Sequence, residues 1–193
     1  GSIPTAFLIV RWTSNIDIRT EGSGNVGALN SLEVTKSKFA GGAVLLLDLL
    51  KGVVAVVVSS VLLDDQFAVQ ATGGVAAVVG HNFPVWLKFK GGRGLATGAG
   101  VLLVIGWVFV AAWLLLWGLG FILTRHINAS NALASVLTIL AVCVAPAAVL
   151  SPFVGQTIPL SELRFFCVVL FIVILLRHID PVHEYLRNLR VSR

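Results

Sequence analysis

The chain has 193 residues, of which 57% are hydrophobic and only 12% charged, and its mean hydropathy is +0.95. An average soluble domain carries roughly 25% charged residues, so a water-soluble fold is excluded. The formal net charge of +5 does not call for nucleic acid, because Lys and Arg also collect in the cytoplasmic loops of membrane proteins and fix their orientation.

Several apolar runs approach the roughly 20 residues that a hydrocarbon layer about 30 Å thick demands of a helix. The period-2 alternation of a lipid-facing barrel strand is missing. The fold class is therefore all-α, a polytopic integral membrane protein. Apolar segments fall at about 3–10, 39–63, 67–87, 95–124, 132–153 and 165–176. The first is short: the chain opens at Gly1-Ser2-Ile3-Pro4 with no methionine and no visible secretory signal peptide, so this first span is expected to be truncated.

The first polar stretch runs from Arg11 to Lys38 and contains "EGSGNVGALN", Glu21 to Asn30. Gly22-x-Gly24-x-x-Gly27 formally matches a dinucleotide fingerprint, but that motif needs a preceding strand and a βαβ unit, which this chain does not supply. The physical content stands without the fingerprint. Glycines let backbone N–H groups approach an anion, and Ser23, Asn25 and Asn30 add side-chain donors. The competing reading is an ordinary loop rich in turn residues.

Within 39–63, Asp48-Leu49-Leu50-Lys51-Gly52 puts two opposite charges at i and i+3 on one helix face. Each charge costs about 3 kcal/mol in a membrane interior on insertion scales, so the two are expected to pair. They are read either as a functional site or as a structural bridge tying helices together.

After 67–87 comes "KFKGGRGLATG", Lys88 to Gly98, preceded by His81-Asn82-Phe83-Pro84. Gly91-Gly92-Arg93-Gly94 followed by Leu95-Ala96-Thr97 reads as an anion-binding turn that feeds a helix N-terminus, where free N–H groups and the dipole favour phosphate. Walker spacing is absent. The bland alternative is that Lys88, Lys90 and Arg93 anchor a short loop to anionic lipid headgroups.

The segment 95–124 is either one overlong tilted helix or a hairpin of two short ones. Loop charges favour the hairpin, which puts Arg11, Arg19, Lys36, Lys38, Lys88, Lys90, Arg93, Arg125, Arg177, Arg187, Arg190 and Arg193 on one side and leaves Arg164 opposite. Seven transmembrane helical segments follow, with the motif loops and the C-terminus cytoplasmic and Asp64-Asp65-Gln66 outside. In the turn after Arg125, Asn128, Ser130 and Asn131 are either capping groups or part of a polar wall, and Ser130 is expected to cap. Cys143 and Cys167 lie in apolar runs and read as small buried hydrophobes, with no disulfide or metal site. Residues 1–193 form one membrane-embedded domain without internal repeats.

Taken in order, "GSIP", "GSGNVGALN", "DLLKG", "GHNFPVWLKFKGGRGLATG" and the terminal "RH" of the last helix resemble the bacterial acyl-phosphate:glycerol-3-phosphate acyltransferases, the PlsY family. The resemblance runs over essentially the whole chain. It implies a multi-pass enzyme of the bacterial inner membrane that transfers a fatty acyl group from acyl phosphate to the 1-hydroxyl of glycerol 3-phosphate, making lysophosphatidate and phosphate in phospholipid synthesis. Acyl phosphate is already activated, so no cofactor, metal or covalent nucleophile is implied.

Carried over by residue, the resemblance implies catalytic roles for His178, Ser23 and Asn25. It implies phosphate binding by Gly24, Gly27, Asn30, Lys90, Gly91, Gly92, Arg93, Gly94 and Thr97, and supporting roles for His81, Asp48, Lys51 and Asn131. Partners are membrane lipid and the two substrates. Four positions depart from the family pattern: Glu33 stands where a basic residue is usual, Arg93 replaces lysine, Asn131 replaces serine, and Pro181 interrupts the third motif, where Glu184 is left as the tail acid. An acid at 33 facing a dianionic phosphate would slow the reaction at least about a hundredfold unless Lys36 or Lys38 compensated. A second reading follows, a catalytically impaired homologue serving as a lipid-binding or structural subunit of a larger membrane complex. A third, an ion transporter built on Asp48 and Lys51, lacks the inverted repeat such folds carry.

Overall fold

The computed structural model describes residues 1–154 and 158–191, and among these it contains helices, 3-10 turns and loops but no strand. Arg193, counted above with the tail cations, lies outside the described residues. Contacts group the chain into two compact units, Gly1–Val104 and Ile105–Arg193.

The first unit holds α1 (Thr5–Ser14), α2 (Ala28–Thr35), α3 (Lys38–Leu62), α4 (Phe67–Asn82) and the start of α5 (Leu95–Thr124). Ser37 opens α3 as N-cap, its Oγ accepting the Ala40 N–H at 3.2 Å. The apolar stretch expected to reach residue 87 stops being α-helical at Asn82, because Pro84 disfavours helical backbone at Phe83, and Val85–Leu87 forms a 3-10 turn instead. One face of α3 buries Ala40, Gly41, Val44, Asp48, Gly52 and Val56 at helical spacing. Its other face exposes Leu45, Leu46, Leu47, Leu50, Val54, Val57 and Val58, an apolar surface suited to hydrocarbon rather than to water.

Packing between helices depends on glycine. A Cβ on Gly52 would lie 2.1 Å from the Thr97 carbonyl oxygen, and one on Gly100 would lie 2.0 Å from that of Leu49, so α3 and α5 cross backbone to backbone. In a bilayer no hydrophobic force pushes helices together, and small residues that permit such approach supply the van der Waals contact instead.

In the second unit α5 breaks at Gly106, whose backbone is extended (φ −176°, ψ 94°), so the long apolar stretch consists of two helical pieces. α6 (Ile127–Val144) is capped by His126, whose Nδ1 accepts the Ala129 N–H at 3.3 Å. The expected cap, Ser130, is instead buried inside the helix and donates its hydroxyl to the His126 carbonyl at 2.8 Å. The stretch 132–153 is likewise not continuous: α6 gives way before Pro146 to α7 (Ala147–Leu150) and a 3-10 turn at Ser151–Phe153. Arg164 closes the end of α6 by donating to the carbonyls of Val142 at 3.2 Å and Ala145 at 2.8 Å.

α8 (Leu160–Leu176) bends by 58° into α9 (Ile179–Val191). The C-terminal segment after His178 is thus helical, and Asp180, His183, Glu184, Arg187 and Arg190 give it a polar face of the kind interfacial helices carry. Cys167 is buried as expected, whereas Cys143 is exposed on α6, and neither forms a disulfide. Among the described residues, three helices, α3, α5 and α6, are by length and composition apolar enough to cross a membrane, and the bent α8–α9 pair makes a fourth if counted as one span.

Candidate functional site

The loop from α1 to α2 is organised by Asn30, which is 1% exposed. Its Nδ2 donates to the carbonyls of Ile18 (3.2 Å), Glu21 (3.1 Å) and Asn25 (3.0 Å), and its Oδ1 accepts the Ser23 N–H at 3.0 Å. The side chain expected to reach for phosphate is thereby occupied in shaping the loop. Gly22 (φ +57°) and Gly24 (φ +66°) take left-handed backbone, and a Cβ on Gly22 would strike Asn30 Oδ1 at 2.3 Å.

The outer flank of this loop is tied by Arg19, whose Nε and Nη2 donate to Asp17 at 2.9 and 2.6 Å. These hydrogen bonds hold the Asp17 carboxyl down to about 2. Ser23 is exposed, and its hydroxyl bonds to no described residue. Gly27 begins α2 with extended backbone and no side-chain cap. The first N–H groups of that helix, beside Asn25, therefore have no intrahelical acceptor.

The second turn is built on the end of α4. Gly91 N–H donates to the Asn82 carbonyl at 3.2 Å and Gly92 N–H to the His81 carbonyl at 3.1 Å. Gly94 (φ +80°) then swings the chain into α5, where Gly98 N–H donates to its carbonyl at 2.7 Å. Thr97 is fully buried and its hydroxyl has no partner among the described residues. Lys90 is exposed and Arg93 half-buried on the same turn.

The two loops meet. A Cβ on Gly92 would come 2.8 Å from the Val26 carbonyl oxygen, and Val26 shares an apolar cluster with Leu87, Ile18, Val44, Ala6 and Val10. Thus Ser23, Gly24, Asn25, Gly27 and Asn30 share one compact unit with Lys90 through Thr97. Both loops lead into helix starts with closely approachable backbone, that of α2 without a side-chain cap, and the second carries cations. This arrangement suits phosphate oxygens.

Behind the second turn, Asp48 is 2% exposed and its Oδ1 receives Lys51 Nζ at 2.7 Å and the Thr5 hydroxyl, with His81 Nδ1 at 3.5 Å. Lys51 also reaches the Ile3 carbonyl at 3.4 Å. The expected pairing of the two charges is present. The contribution of Thr5, 43 positions away in the chain, left no local signal by which sequence could have found it.

His178 and Asn131 belong to the second unit. His178 is 1% exposed at the α8–α9 bend, with Nδ1 2.9 Å from the Ile174 carbonyl. A carbonyl only accepts, so Nδ1 carries a proton, and in the neutral tautomer Nε2 is then the acceptor atom. Asn131 is 6% exposed, and its carbonyl receives the Ser135 hydroxyl at 2.8 Å, while Ser135 Oγ accepts from Trp113 Nε1 at 3.2 Å. Near it, Tyr185 of α9 stacks on His126 at 4.5 Å and donates to the Thr124 carbonyl at 3.2 Å.

Of the departures from the motif pattern, Pro181 falls in the first turn of α9, where its missing N–H breaks no helical hydrogen bond. Glu33 is exposed on α2.

Compared with known proteins, residues 1–188 match the family profile described as glycerol-3-phosphate acyltransferase. The chain belongs to that family. A glycerol-3-phosphate acyltransferase of Myxococcus xanthus is 51% identical over 105 residues, 54% of each chain. One of Bradyrhizobium diazoefficiens is 43% identical over 138 residues, 72% of this chain and 68% of the relative. One of Thermotoga petrophila is 42% identical over 120 residues, 60% of each. The matched stretches thus span between 54% and 68% of these relatives' length.

Among solved structures, the integral membrane glycerol 3-phosphate acyltransferase PlsY in its glycerol 3-phosphate form superposes with a TM-score of 0.76 at 25% identity, over 97% of this chain and 88% of that one. Its lysophosphatidic acid form gives 0.77 at 26% identity, over 97% and 86%. The acyltransferase family to which the chain belongs is therefore one of integral membrane proteins, in keeping with the lipid-facing surface of α3.

Proposed function

We propose that this acyltransferase-family member transfers a fatty acyl group from acyl phosphate to the 1-hydroxyl of glycerol 3-phosphate, releasing lysophosphatidate and phosphate for phospholipid synthesis. The observation that carries the reading is the contact between Val26 and Gly92, which brings two glycine loops, each leading into a helix start, side by side.

The chemistry needs little more than alignment. The C1 oxygen of glycerol 3-phosphate forms a bond to the acyl carbon, and the bond from that carbon to the phosphate oxygen breaks. Holding the two substrates in register supplies a large part of the acceleration, because it replaces a chance encounter by a fixed approach. The Gly94 N–H, with Lys90, Arg93 and the Thr97 hydroxyl, is assigned to phosphate oxygens, where these groups offset charge growing on the leaving group, while Gly91 and Gly92, whose own N–H groups hold the turn to α4, let the phosphate approach without side chains in the way.

Gly24 and Gly27 give the first loop its close approach, Asn30 holds that loop's shape, and Ser23 and Asn25 offer side-chain donors to the reacting groups. His178 enters on its chemistry, as acceptor of the hydroxyl proton through Nε2. Asp48, Lys51 and His81 brace the second turn, and Asn131 supports α6.

The proposed setting is the bacterial inner membrane, crossed seven times, with both glycine loops on the cytoplasmic face. The one-sided distribution of Lys and Arg supports it.

The deciding assay incubates the purified full-length protein in detergent micelles with acyl phosphate and glycerol 3-phosphate. Lysophosphatidate formed in proportion to enzyme is the expected result, whereas none above background would leave the impaired, lipid-binding homologue as the better reading. Undiminished kcat in His178→Ala would remove His178 from the proton transfer.

A further inference from the structure

We propose that Asp48 and Lys51 are positioning residues that set the shape of the Gly91–Gly92 turn through His81. The kinetic part of this proposal rests on the acyl-transfer reading above, and its structural part does not.

The imidazole of His81 is held at both edges. On one, Nδ1 stands 3.5 Å from Asp48 Oδ1, an oxygen that also takes Lys51 Nζ at 2.7 Å and the Thr5 hydroxyl. On the other, Nε2 fills the space of a Gly92 side chain, since a Cβ there would be 2.0 Å away. The backbone of the same residue accepts the Gly92 N–H, and that of Asn82 accepts the Gly91 N–H. Any tilt of the ring is thus felt at Gly92, and the buried ion pair fixes the tilt.

Stability alone gives a weak account of such a pair, because well-packed apolar side chains commonly do as well or better than buried opposite charges. Three elements converge on Asp48 Oδ1, namely α1 through Thr5, α3 through Lys51 and α4 through His81. The carboxylate is therefore a fixed point against which the ring is oriented, and the ring in turn holds the turn that carries the phosphate donors.

The test uses the full-length protein with Asp48→Asn, with Asp48→Asn combined with Lys51→Met so that no charge is left unpaired, and with His81→Asn. The Asn at 81 keeps a donor toward Asp48 and empties the space over Gly92. Two measurements are made on each variant that folds. Hydrogen exchange of the segment 88–94 is expected to speed at least about tenfold while the interiors of α3 and α4 keep their rates, since local opening is read separately from global unfolding. The KM of one phosphate-bearing substrate is expected to rise roughly tenfold, with kcat changed less than about threefold, the signature of lost binding rather than lost chemistry.

A merely structural pair predicts the reverse: kcat falling with the folded fraction at unchanged KM, and exchange quickened across the whole unit. Either result overturns the proposal, as does wild-type exchange at 88–94 in every folded variant. A wild-type protein that makes no lysophosphatidate sinks the acyl-transfer reading alone and leaves the exchange measurement to decide this one.

Discussion

Asn30 looks like a substrate ligand in sequence because its type and its place in a glycine-rich motif both suit phosphate, yet the structure uses its whole amide inside the loop. The two uses separate in a mutation. Asn30→Asp keeps the shape and the acceptor for Ser23 N–H but turns a donor into an anionic oxygen facing three carbonyls. It should therefore destabilise more than Asn30→Ala, although it removes no atoms, by about 1–3 kcal/mol beyond the alanine variant in thermal unfolding. Equal melting temperatures for the two would refute the staple role.

Asp17 offers a pH test on the same loop. Its folded pKa, about 2, lies below the ordinary aspartate value near 4, so the stability it lends is complete above about pH 4 and is lost as pH falls toward 2. Protection of the amides of residues 15–27 against exchange, taken relative to their intrinsic rates at each pH, should fall over that window in the parent protein, and in Asp17→Asn should be already low and flat with pH.

Among the elements, two boundaries carry a local chemical marker that the apolar runs alone passed over, as the expected stretch 67–87 shows. Ser37 opens α3 and Pro84 ends α4, and both act within a residue or two of themselves. The misread cap of α6 has an equally local cause: a histidine did what Ser, Thr, Asp or Asn usually do, and the serine beside it satisfied a carbonyl instead. Helix crossings carry no such marker. Gly52 and Gly100 could be packing glycines or idle ones, and only the partner backbone decides.

That difference is measurable. Gly52→Ala and Gly100→Ala would each drive a methyl into a carbonyl that no rotamer can move, at about 1–3 kcal/mol or more. Gly42→Ala meets nothing within 4 Å and removes a helix glycine, so it should be neutral or stabilising by up to about 1 kcal/mol. Thermal unfolding of the three variants in one detergent checks the order; a loss at Gly42 matching that at Gly52 would mean that crossing geometry is not the cause.

For the molecule as a whole, the sequence carried class and family plainly, because hydropathy and ordered motifs are properties of the chain itself. Which motif residues act on substrate and which hold one another was not legible, since Asn30 with Ile18, Thr5 with Asp48 and Gly92 with Val26 are pairings made only by folding. Topology lies between these cases. The break at Gly106 divides α5, and the piece before it, at 1.5 Å per residue, is only about 16 Å long, roughly half of a hydrocarbon layer. The helix through 95–124 is therefore not straight across Gly106, and the one-sided cations favour a chain that returns to the face it left, a proposal that labelling tests.

Single cysteines placed in a chain with Cys143 and Cys167 replaced by alanine test this in sealed vesicles with a membrane-impermeant thiol reagent. Lys88→Cys and Arg125→Cys are expected to react from the same face, the cytoplasmic one, and Asp65→Cys from the opposite face. Reaction of Arg125→Cys together with Asp65→Cys would mean that the chain crosses fully between Gly94 and Arg125, and the seven-span arrangement would fall with it. The glycine loops would keep their places on either outcome, because both lie before the break.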